Sequence, residues 1–237
     1  MERLDKRLSN TGRWSRREAR DLIRAGRVAV DGQICRAPER KVDESAPVAV
    51  DGGAIAGPGP VYLMMNKPAG VVSSTDEPGA RTVLDLLGEE YRNLGLFPAG
   101  RLDKDTEGLL LLTNDGPLAH RLLAPRSHVD KVYYVEVDGV LDGDDVEAVR
   151  TGVTLADGYA CLPGELELLG GNRAHITLRE GKYHQVKRML AARGKPVVRL
   201  HRLSMGPLTL DQGLKPGKWR FLTAQEREEL CVSEEAT

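Results

Sequence analysis

The alternation of apolar and polar residues predicts strands and helices at several places along the chain. The run 108–113 is continuously apolar between turn residues, which is typical of a fully buried strand. Residues 131–137 alternate and are rich in Val and Tyr, as in a half-buried strand. Helical spacing predicts an amphipathic helix over 16–25, with Ser15 and Glu18 as a capping box. Further strands are predicted at 61–66, 173–179, 197–200, 208–210 and 219–222, and further helices at 82–91, 118–123, 144–152 and 183–193.

Differences in composition divide the chain into three regions. Residues 1–50 are predicted to form a small unit of two helices and a hairpin, whose turn is Asp31-Gly32. The stretch 51–60 is rich in glycine and proline, and we interpret it as an interdomain linker. In 61–237 strands outnumber helices and do not alternate regularly with them. This pattern predicts an α+β fold on a mixed, largely antiparallel sheet.

The overall composition is typical of a globular protein without membrane-spanning segments. The 237 residues are 41% hydrophobic and 29% charged, and no apolar run is long enough to span a bilayer. The first ten residues are charged rather than signal-like, so a cytoplasmic location is expected. Cys35, Cys161 and Cys231 lack the spacing of a disulfide framework or a zinc site.

Basic residues are concentrated near the start of the chain, although the net charge of the whole is -1. The first 43 residues contain twelve basic and seven acidic side chains. Within the predicted helix, Arg16, Arg17, Arg20 and Arg24 recur at helical spacing on the exposed side. This density of arginines favours binding of nucleic-acid phosphates. A solvated helix face without a partner is the alternative.

The loop before the buried strand carries candidate catalytic residues. Charged side chains crowd residues 101–107, and flanking glycines allow tight turns or close approach of a ligand. Asp103 could act as a nucleophile or base if a cation kept it ionised, and Lys187 is the candidate cation. Tyr133 could offer a flat face to a nucleobase and a hydroxyl for proton transfer. A solvated surface loop is the alternative.

The same loop also matches a different enzyme motif. Residues 103–106 fit DxDxT, the nucleophile loop of magnesium-dependent phosphatases. In those enzymes the loop follows directly on a continuous apolar strand. Here Pro98 and Gly100 interrupt the preceding residues, which disfavours this alternative.

Several segments together resemble the motifs of one enzyme family. Residues 99–116 resemble the catalytic motif of the RsuA family of ribosomal RNA pseudouridine synthases. Residues 66–70 are similar to that family's first motif, 131–133 to its tyrosine motif and 180–189 to its basic motif. The head resembles an S4 RNA-binding domain through residues 3–6 and 15–19. The resemblance therefore covers nearly the whole chain.

The resemblance implies roles for individual residues. Asp103 would attack the target uridine, Tyr133 would pack on its base, and Lys187 would pair with Asp103. Arg101 would contact the RNA backbone or fill the gap left by the flipped nucleotide. The other RNA-contacting residues are expected to be Arg16, Arg17, Arg20, Arg24, Lys67 and Arg188. No metal, nucleotide cofactor or energy source is expected.

The basic motif also suggests a substrate. Its sequence, with a histidine at 184, is more similar to that of enzymes that act on small-subunit 16S ribosomal RNA. The substrate would be the free RNA or a partly assembled subunit. A large-subunit 23S ribosomal RNA enzyme and a non-catalytic S4-type RNA-binding protein are the alternatives. The chain shows no heptad repeats, so a monomer is expected.

Overall fold

Short strands and two helices form the N-terminal unit. The computed structural model of the protein describes residues 1–11, 14–43, 46–55, 60–88, 91, 94–124 and 129–232. The chain divides into two compact units. The first comprises Met1–Val61 and Leu87–Phe97, and the second comprises Tyr62–Leu86 and Pro98–Thr237. The elements of the first unit are β1 (Glu2–Arg3), α1 (Leu4–Ser9), α2 (Arg16–Arg24), β2 (Val28–Val30), β3 (Gln33–Ile34), β4 (Lys41–Val42), β5 (Val48–Val50) and β6 (Gly53–Ile55).

The helix α2 begins where the sequence predicts it. The Ser15 hydroxyl accepts a hydrogen bond from the Glu18 amide at 3.2 Å, and the Glu18 carboxylate accepts one from the Ser15 amide at 2.7 Å. The predicted capping box is therefore confirmed. Leu22 and Ile23 of this helix face a core of aliphatic side chains from α1 and strands β2, β4 and β5. This burial leaves the arginines of α2 on the outer face.

Two Asp-Gly turns build the four-stranded antiparallel sheet β3-β2-β5-β6 of this unit. The first, Asp31-Gly32, has φ angles of 53° and 78°, and it confirms the predicted hairpin. The second, Asp51-Gly52, has φ angles of 52° and 77°. It lies in the predicted linker, which is wrong at Gly53–Ile55 because these residues form β6. Residues 56–59 of that stretch lie outside the described ranges.

One large sheet organises the second unit. One further strand, β8 (Phe97–Pro98), lies where the chain passes from the first unit to the second. The elements of the second unit are β7 (Tyr62–Lys67), a 3₁₀ helix (Leu84–Leu86), β9 (Glu107–Thr113), α3 (Gly116–Leu123), β10 (Lys131–Val137), α4 (Gly143–Thr151), β11 (Glu165–Gly170), β12 (Arg173–Leu178), α5 (Gln185–Ala192), β13 (Val197–Met205), β14 (Leu208–Thr209), β15 (Trp219–Phe221) and α6 (Ala224–Val232). The strands follow the order β11-β12-β10-β13-β9-β7-β15. Only β13 and β9 pair in parallel along this described path. The predicted α+β fold on a mixed, largely antiparallel sheet is confirmed.

The apolar run before Thr113 is the most deeply buried strand. Leu109, Leu110, Leu111 and Leu112 of β9 have no exposed surface, and β9 lies in the interior of the sheet between β13 and β7. A second apolar cluster joins β10, β11 and β12 to α4 and α5. The sheet thus provides a rigid base for the loops at its edges.

The predicted helix over 82–91 is wrong in the described part of that stretch. Residues Leu84–Leu86 form a 3₁₀ turn instead. The Asp85 carboxylate accepts hydrogen bonds from the amide and hydroxyl of Thr82 at 2.8 and 3.0 Å, which closes one tight turn. Val83 and Leu87 are buried, as the apolar spacing indicates, but they flank a turn and do not lie on one face of a helix.

Candidate active site

A glycine lets the loop of residues 99–106 enter the sheet beside β13. Gly108 has a φ of +101°, and a Cβ there would lie 2.3 Å from the Arg202 carbonyl oxygen. The two residues are aligned where β9 and β13 pair in parallel. Because no side chain fits at Gly108, the start of β9 can approach β13 closely and the preceding loop is fixed in position.

Hydrogen bonds to neighbouring segments hold the same loop rigid. The Ser73 hydroxyl contacts the Leu102 carbonyl at 2.9 Å and the Leu102 amide at 3.1 Å. The Gly70 amide donates to the Lys104 carbonyl at 2.7 Å. Leu102 itself is buried, whereas Asp103 keeps 24% of its side chain exposed. The loop therefore presents the Asp103 carboxylate from a firmly held backbone.

Lys67 lies beneath this loop and not on the surface. Its side chain has no exposed area, and its ammonium donates to the carbonyls of Pro68, Lys104 and Thr106 at 3.1, 3.2 and 2.7 Å. Burial lowers the pKa of Lys67 to about 8, although the charges of Asp105 and Asp103 oppose the shift. The expectation that Lys67 contacts RNA is corrected, because its three hydrogen bonds are already used inside the protein.

Two basic side chains face the carboxylate of Asp103. The ammonium of Lys187, on α5, lies 3.1 Å from Oδ2, and Nε2 of His184 lies 3.5 Å from Oδ1. Lys187 also contacts the exposed carboxylate of Asp105 at 2.5 Å. Burial lowers the pKa of Lys187, but the hydrogen bonds from Asp105 and Asp103 outweigh it and raise that pKa above its usual value. Lys187 therefore stays charged beside Asp103.

Tyr133 lies on β10, opposite an irregularity in the neighbouring strand β13. On β10, Val132 pairs with Ser204 but Tyr133 pairs with Arg202, so one residue of β13 is skipped. The extra residue belongs to β13, so Tyr133 keeps its place in the alternation of β10, on the same face as Val135 and Val137. Tyr133 is half-buried, and its ring packs against the apolar cluster of β10, β11, β12, α4 and α5.

A single pocket collects most of the predicted catalytic residues. Asp103 and Tyr133 both line it, together with Arg101, whose side chain is exposed. Its other walls come from Leu102, Thr106, Leu178, Glu180, Gly181, Lys182, His184, Gln185, Val186 and Leu200. Lys187 contributes through its ion pair with Asp103. The structure thus brings Asp103, Lys187, Tyr133 and Arg101 together from three distant segments.

Two polar residues that brace the pocket were missed by the sequence reasoning. Glu180 accepts hydrogen bonds from the Tyr159 hydroxyl at 2.8 Å, the Leu162 amide at 2.8 Å and the Gln185 side chain at 2.5 Å. The Gln185 side chain also accepts from the Lys182 amide at 2.9 Å. A glutamine on the buried side of a predicted amphipathic helix was the available signal, since buried amides need partners.

Three arginines of the first unit surround one buried carboxylate. Asp5 has no exposed surface and accepts hydrogen bonds from Arg3 and Arg20 at 3.0 Å, with Arg16 at 3.6 Å. Burial alone would raise the pKa of Asp5, but these arginines hold it well below its usual range. Arg16, Arg20 and the two other predicted RNA contacts, Arg17 and Arg24, are all exposed.

Arg188, the remaining predicted RNA contact, lies on α5 beside Lys187. Its guanidinium pairs with Asp157 at 2.5 Å and donates to the Tyr183 carbonyl at 3.4 Å. One third of its side chain is exposed. It does not line the pocket of Asp103 in the described part of the chain.

The described residues offer neither a metal-binding group nor a membrane-spanning helix. Among the residues that the structure describes, no three His, Cys, Asp or Glu side chains are grouped as metal ligands. None of the helices in the described ranges is both long and apolar enough to cross a bilayer. Cys35 and Cys161 are buried free thiols.

Comparison with known protein families covers most of the chain. Residues 61–192 match the RNA pseudouridylate synthase family, and residues 2–48 match the S4 domain. These two matches correspond to the pocket-bearing sheet and to the arginine-rich unit.

Individual relatives and a solved structure are similar over nearly their whole length. The chain is 46% identical over 229 residues to an uncharacterized RNA pseudouridine synthase, YtzG, of Bacillus subtilis, covering 94% of this chain and 96% of that protein. It is 45% identical over 226 residues to ribosomal small subunit pseudouridine synthase A of Pseudomonas aeruginosa, covering 94% and 98%. The Escherichia coli K12 protein of the same name is 44% identical over 226 residues, covering 94% and 97%. A crystal structure of a pseudouridylate synthase superposes with a TM-score of 0.69 at 35% identity, covering 97% of this chain and 100% of that one.

Proposed function

The chain belongs to the RNA pseudouridylate synthase family, and on that premise we propose that it converts a uridine of small-subunit ribosomal RNA to pseudouridine with Asp103 as the attacking group. The protein is a pseudouridine synthase that acts on RNA. Its membership of this family also excludes the phosphatase interpretation of residues 103–106.

The observation that carries the proposal is the environment of Asp103. Its carboxylate is one quarter exposed at a pocket, and the ammonium of Lys187 lies 3.1 Å away. A carboxylate is a nucleophile, and a fixed cation beside it can hold it in one orientation. Enough of the group remains open for a substrate to reach it.

The proposed reaction is an isomerisation without net loss or gain of atoms. Attack by the Asp103 carboxylate on the target nucleoside leads to cleavage of the bond between the sugar C1′ and N1 of uracil. The base turns within the pocket and forms a new bond from C5 to C1′. The hydrogen of C5 leaves to water, N1 gains a proton, and Asp103 is regenerated. Because no electrons or external groups are transferred, we expect no metal, nucleotide cofactor or energy source to be needed.

Tyr133 and Arg101 are proposed to handle the flipped base and its strand. The ring of Tyr133, supported by the apolar cluster behind it, offers a face on which uracil can stack. Its hydroxyl is our candidate to accept the C5 proton. Arg101 is exposed at the pocket and carries a planar charge that suits the RNA backbone or the gap in the helix.

The S4-type unit is proposed to supply affinity for RNA. Its exposed arginines Arg16, Arg17, Arg20 and Arg24 offer positive charge to phosphates, with each neutralised phosphate releasing counterions. Extruding a uridine from folded RNA costs on the order of a few kcal/mol, and such contacts can offset that cost. Arg188 is a further candidate RNA contact.

The choice of small-subunit RNA has two supports. The relatives in Pseudomonas aeruginosa and Escherichia coli that carry a small-subunit name are 45% and 44% identical to this chain. The segment 184–188 also has the amino-acid sequence pattern expected for small-subunit enzymes. The substrate is either the free 16S RNA or a partly assembled subunit, and the protein is expected to act as a cytoplasmic monomer.

Tritium release tests the reaction and the role of Asp103 together. RNA of the small subunit is labelled with tritium at C5 of uridine and incubated with enzyme in EDTA. The parent should release tritium, whereas Asp103→Asn should lose at least about a thousandfold in rate because the amide is not a nucleophile. Asp138→Asn, which neutralises an exposed aspartate outside the pocket, is the matched control and should retain release.

Each contrary result has a separate meaning. Parental release by Asp103→Asn would refute Asp103 as the attacking group. Release only from 23S RNA would correct the substrate, and dependence on added divalent metal would refute the cofactor-free reaction. RNA binding without release from free RNA or from assembling particles of either subunit would favour the S4-type binding protein.

A further inference from the structure

A stacked pair of aromatic rings stands at the rim of the Asp103 pocket. The rings of Tyr183 and His184 have centroids 3.8 Å apart and an interplanar angle of 16°, so they are nearly parallel. Tyr183 is 75% exposed, which is the largest exposure of any Phe, Tyr or Trp side chain among the described residues. One face of its ring is covered by the imidazole and the rest is open to solvent.

The backbone holds this pair in a strained conformation. His184 has φ 49° and ψ 35°, the left-handed region that a residue with a Cβ rarely adopts. It immediately precedes α5, so the predicted helix start at residue 183 is corrected to Gln185. Strain of this kind persists only where surrounding contacts fix the backbone, and it is frequent at functional sites.

The surrounding contacts are present on both sides of the pair. Glu180 and Gln185 lock the segment through hydrogen bonds of 2.5 to 2.9 Å to each other, to Tyr159 and to backbone amides. Arg188 donates to the carbonyl of Tyr183 at 3.4 Å. The position of the exposed ring is therefore set before any ligand arrives.

The inner ring connects the pair to the reacting group. Nε2 of His184 lies 3.5 Å from Oδ1 of Asp103, while Lys187 contacts the other carboxylate oxygen. Carboxylate, imidazole and phenol thus follow one another from the pocket outwards. A flat group laid on the open face of Tyr183 would be a fixed distance from the attacking group.

We propose that the open face of Tyr183 is a stacking platform for a nucleobase next to the target uridine, with His184 as the positioning residue beneath it. This inference rests on the proposed RNA substrate. A flipped uridine leaves its neighbour in the strand without a stacking partner on one side. An aromatic face replaces that partner, and it does so for any base because every base has a π-face. Tyr133 serves the flipped base itself, so the two rings have different ligands.

Removal of the ring should weaken RNA binding without altering its electrostatics. In the Asp103→Asn background, which binds RNA without turnover, Tyr183→Ala should reduce affinity for small-subunit RNA about 10- to 100-fold. The slope of log affinity against log salt should stay unchanged, because a stacked ring releases no counterions. In the active enzyme the loss should appear mainly in KM.

Three companion variants make this test decisive. Tyr183→Phe keeps the ring and should restore parental affinity. His184→Gly keeps the left-handed backbone without strain but removes the imidazole that supports the Tyr183 ring, so it should weaken RNA binding as Tyr183→Ala does. The double variant His184→Gly with Tyr183→Ala should bind RNA only slightly more weakly than either single variant. Val140→Ala removes a 65% exposed apolar side chain outside the pocket and should have no effect.

The outcomes separate this proposal from the function on which it rests. Affinity and KM of Tyr183→Ala within twofold of their references would overturn the platform while leaving a tritium-releasing parent intact. A defect in Tyr183→Phe equal to that of Tyr183→Ala would assign the contact to the hydroxyl and overturn stacking. If the parent releases no tritium, the proposed function fails, and the binding comparison still decides whether the ring stacks on RNA.

Discussion

Asp5 and Asp103 are both carboxylates surrounded by cations, but the protein encloses them to different degrees. Asp5 in the first unit has no exposed surface and meets the guanidinium groups of Arg3, Arg16 and Arg20. Asp103 in the second unit is 24% exposed and meets one ammonium and one imidazole. The two carboxylates therefore differ in the number of cations around them, in the type of those cations and in their exposure to solvent.

The difference separates a structural carboxylate from a reactive one. Arginine presents several donors in a rigid fork, so Arg3 and Arg20 place three hydrogen bonds on Asp5, and complete burial keeps a substrate from reaching that carboxylate. Lysine acts as a compact point charge that pairs with Asp103 while leaving the carboxylate partly open. We infer that Asp5 orders the arginines that carry RNA affinity, whereas Asp103 is available for chemistry.

The largest effect should come from removing the cation beside Asp103. Lys187→Met should lower the rate of tritium release about 100- to 1000-fold, because the carboxylate loses the cation that pairs with it and holds it in position. Lys187→Arg should recover part of this loss, since the charge returns with a different geometry. Single-turnover tritium release measures both.

An exposed lysine provides the matched control for this pair. Lys215→Met removes a charge from the surface away from the pocket and should leave the rate within about twofold. A rate for Lys187→Met close to that of Lys215→Met would mean that Asp103 does not need its partner, and the contrast with Asp5 would lose its functional meaning.

A smaller effect is expected when the buried carboxylate of the first unit is neutralised. Asp5→Asn should lower the free energy of unfolding of that unit by about 2 kcal/mol at pH 7, because charged hydrogen bonds are lost. The half-exposed arginines limit the cost. Trp14 packs against the core of this unit, so its fluorescence in a Trp219→Phe background reports urea unfolding there.

The pH dependence of this difference identifies its cause. The pKa of Asp5 is lowered in the folded state, so its stabilisation is present above the unfolded pKa of about 3.9 and is lost as the pH falls. The gap between parent and Asp5→Asn should therefore narrow from pH 7 to pH 3. A gap of constant size would attribute the loss to altered packing.

Local sequence signals predicted the elements around these sites better than their ends and partners. The capping box at Ser15 and the turn at Asp31-Gly32 were sufficient because each involves residues a few positions apart. The same turn signal occurs at Asp51-Gly52, but the glycines and prolines that follow it favour a linker over a strand. In the structure, Gly53–Ile55 pair with β5 as strand β6, so these residues belong to the sheet and not to a linker.

Long-range contacts explain what the sequence could not provide. Lys67 is similar to any surface lysine in the sequence, yet carbonyls up to 39 residues away bury its ammonium. His184 was expected inside a helix because apolar spacing continues through it, and only the structure shows the left-handed backbone. The meeting of Asp103 and Lys187 was expected from resemblance and from charge balance, but not from their separation along the chain.

The smallest expected effect concerns Lys67, which reverses the arrangement at Asp5 by burying a cation among carbonyl oxygens. Its folded pKa is about 8, mainly through burial, against an ordinary value of 10.5. Between these values the folded state has released the proton that the unfolded state still binds, so stability rises with pH. From pH 7.5 to 9 the parent should gain about 1 kcal/mol relative to Lys67→Met.

Urea unfolding of both proteins at the two pH values, followed by Trp219 fluorescence in a Trp14→Phe background, measures this gain in the second unit. Other groups that titrate in this range are common to both proteins and cancel in the difference. A difference that stays constant would mean that Lys67 keeps its proton to pH 9. In that case the charges of Asp103, Asp105 and Glu107 outweigh burial, and the loop of Asp103 is held by a full cation on its inner side as well as by Lys187.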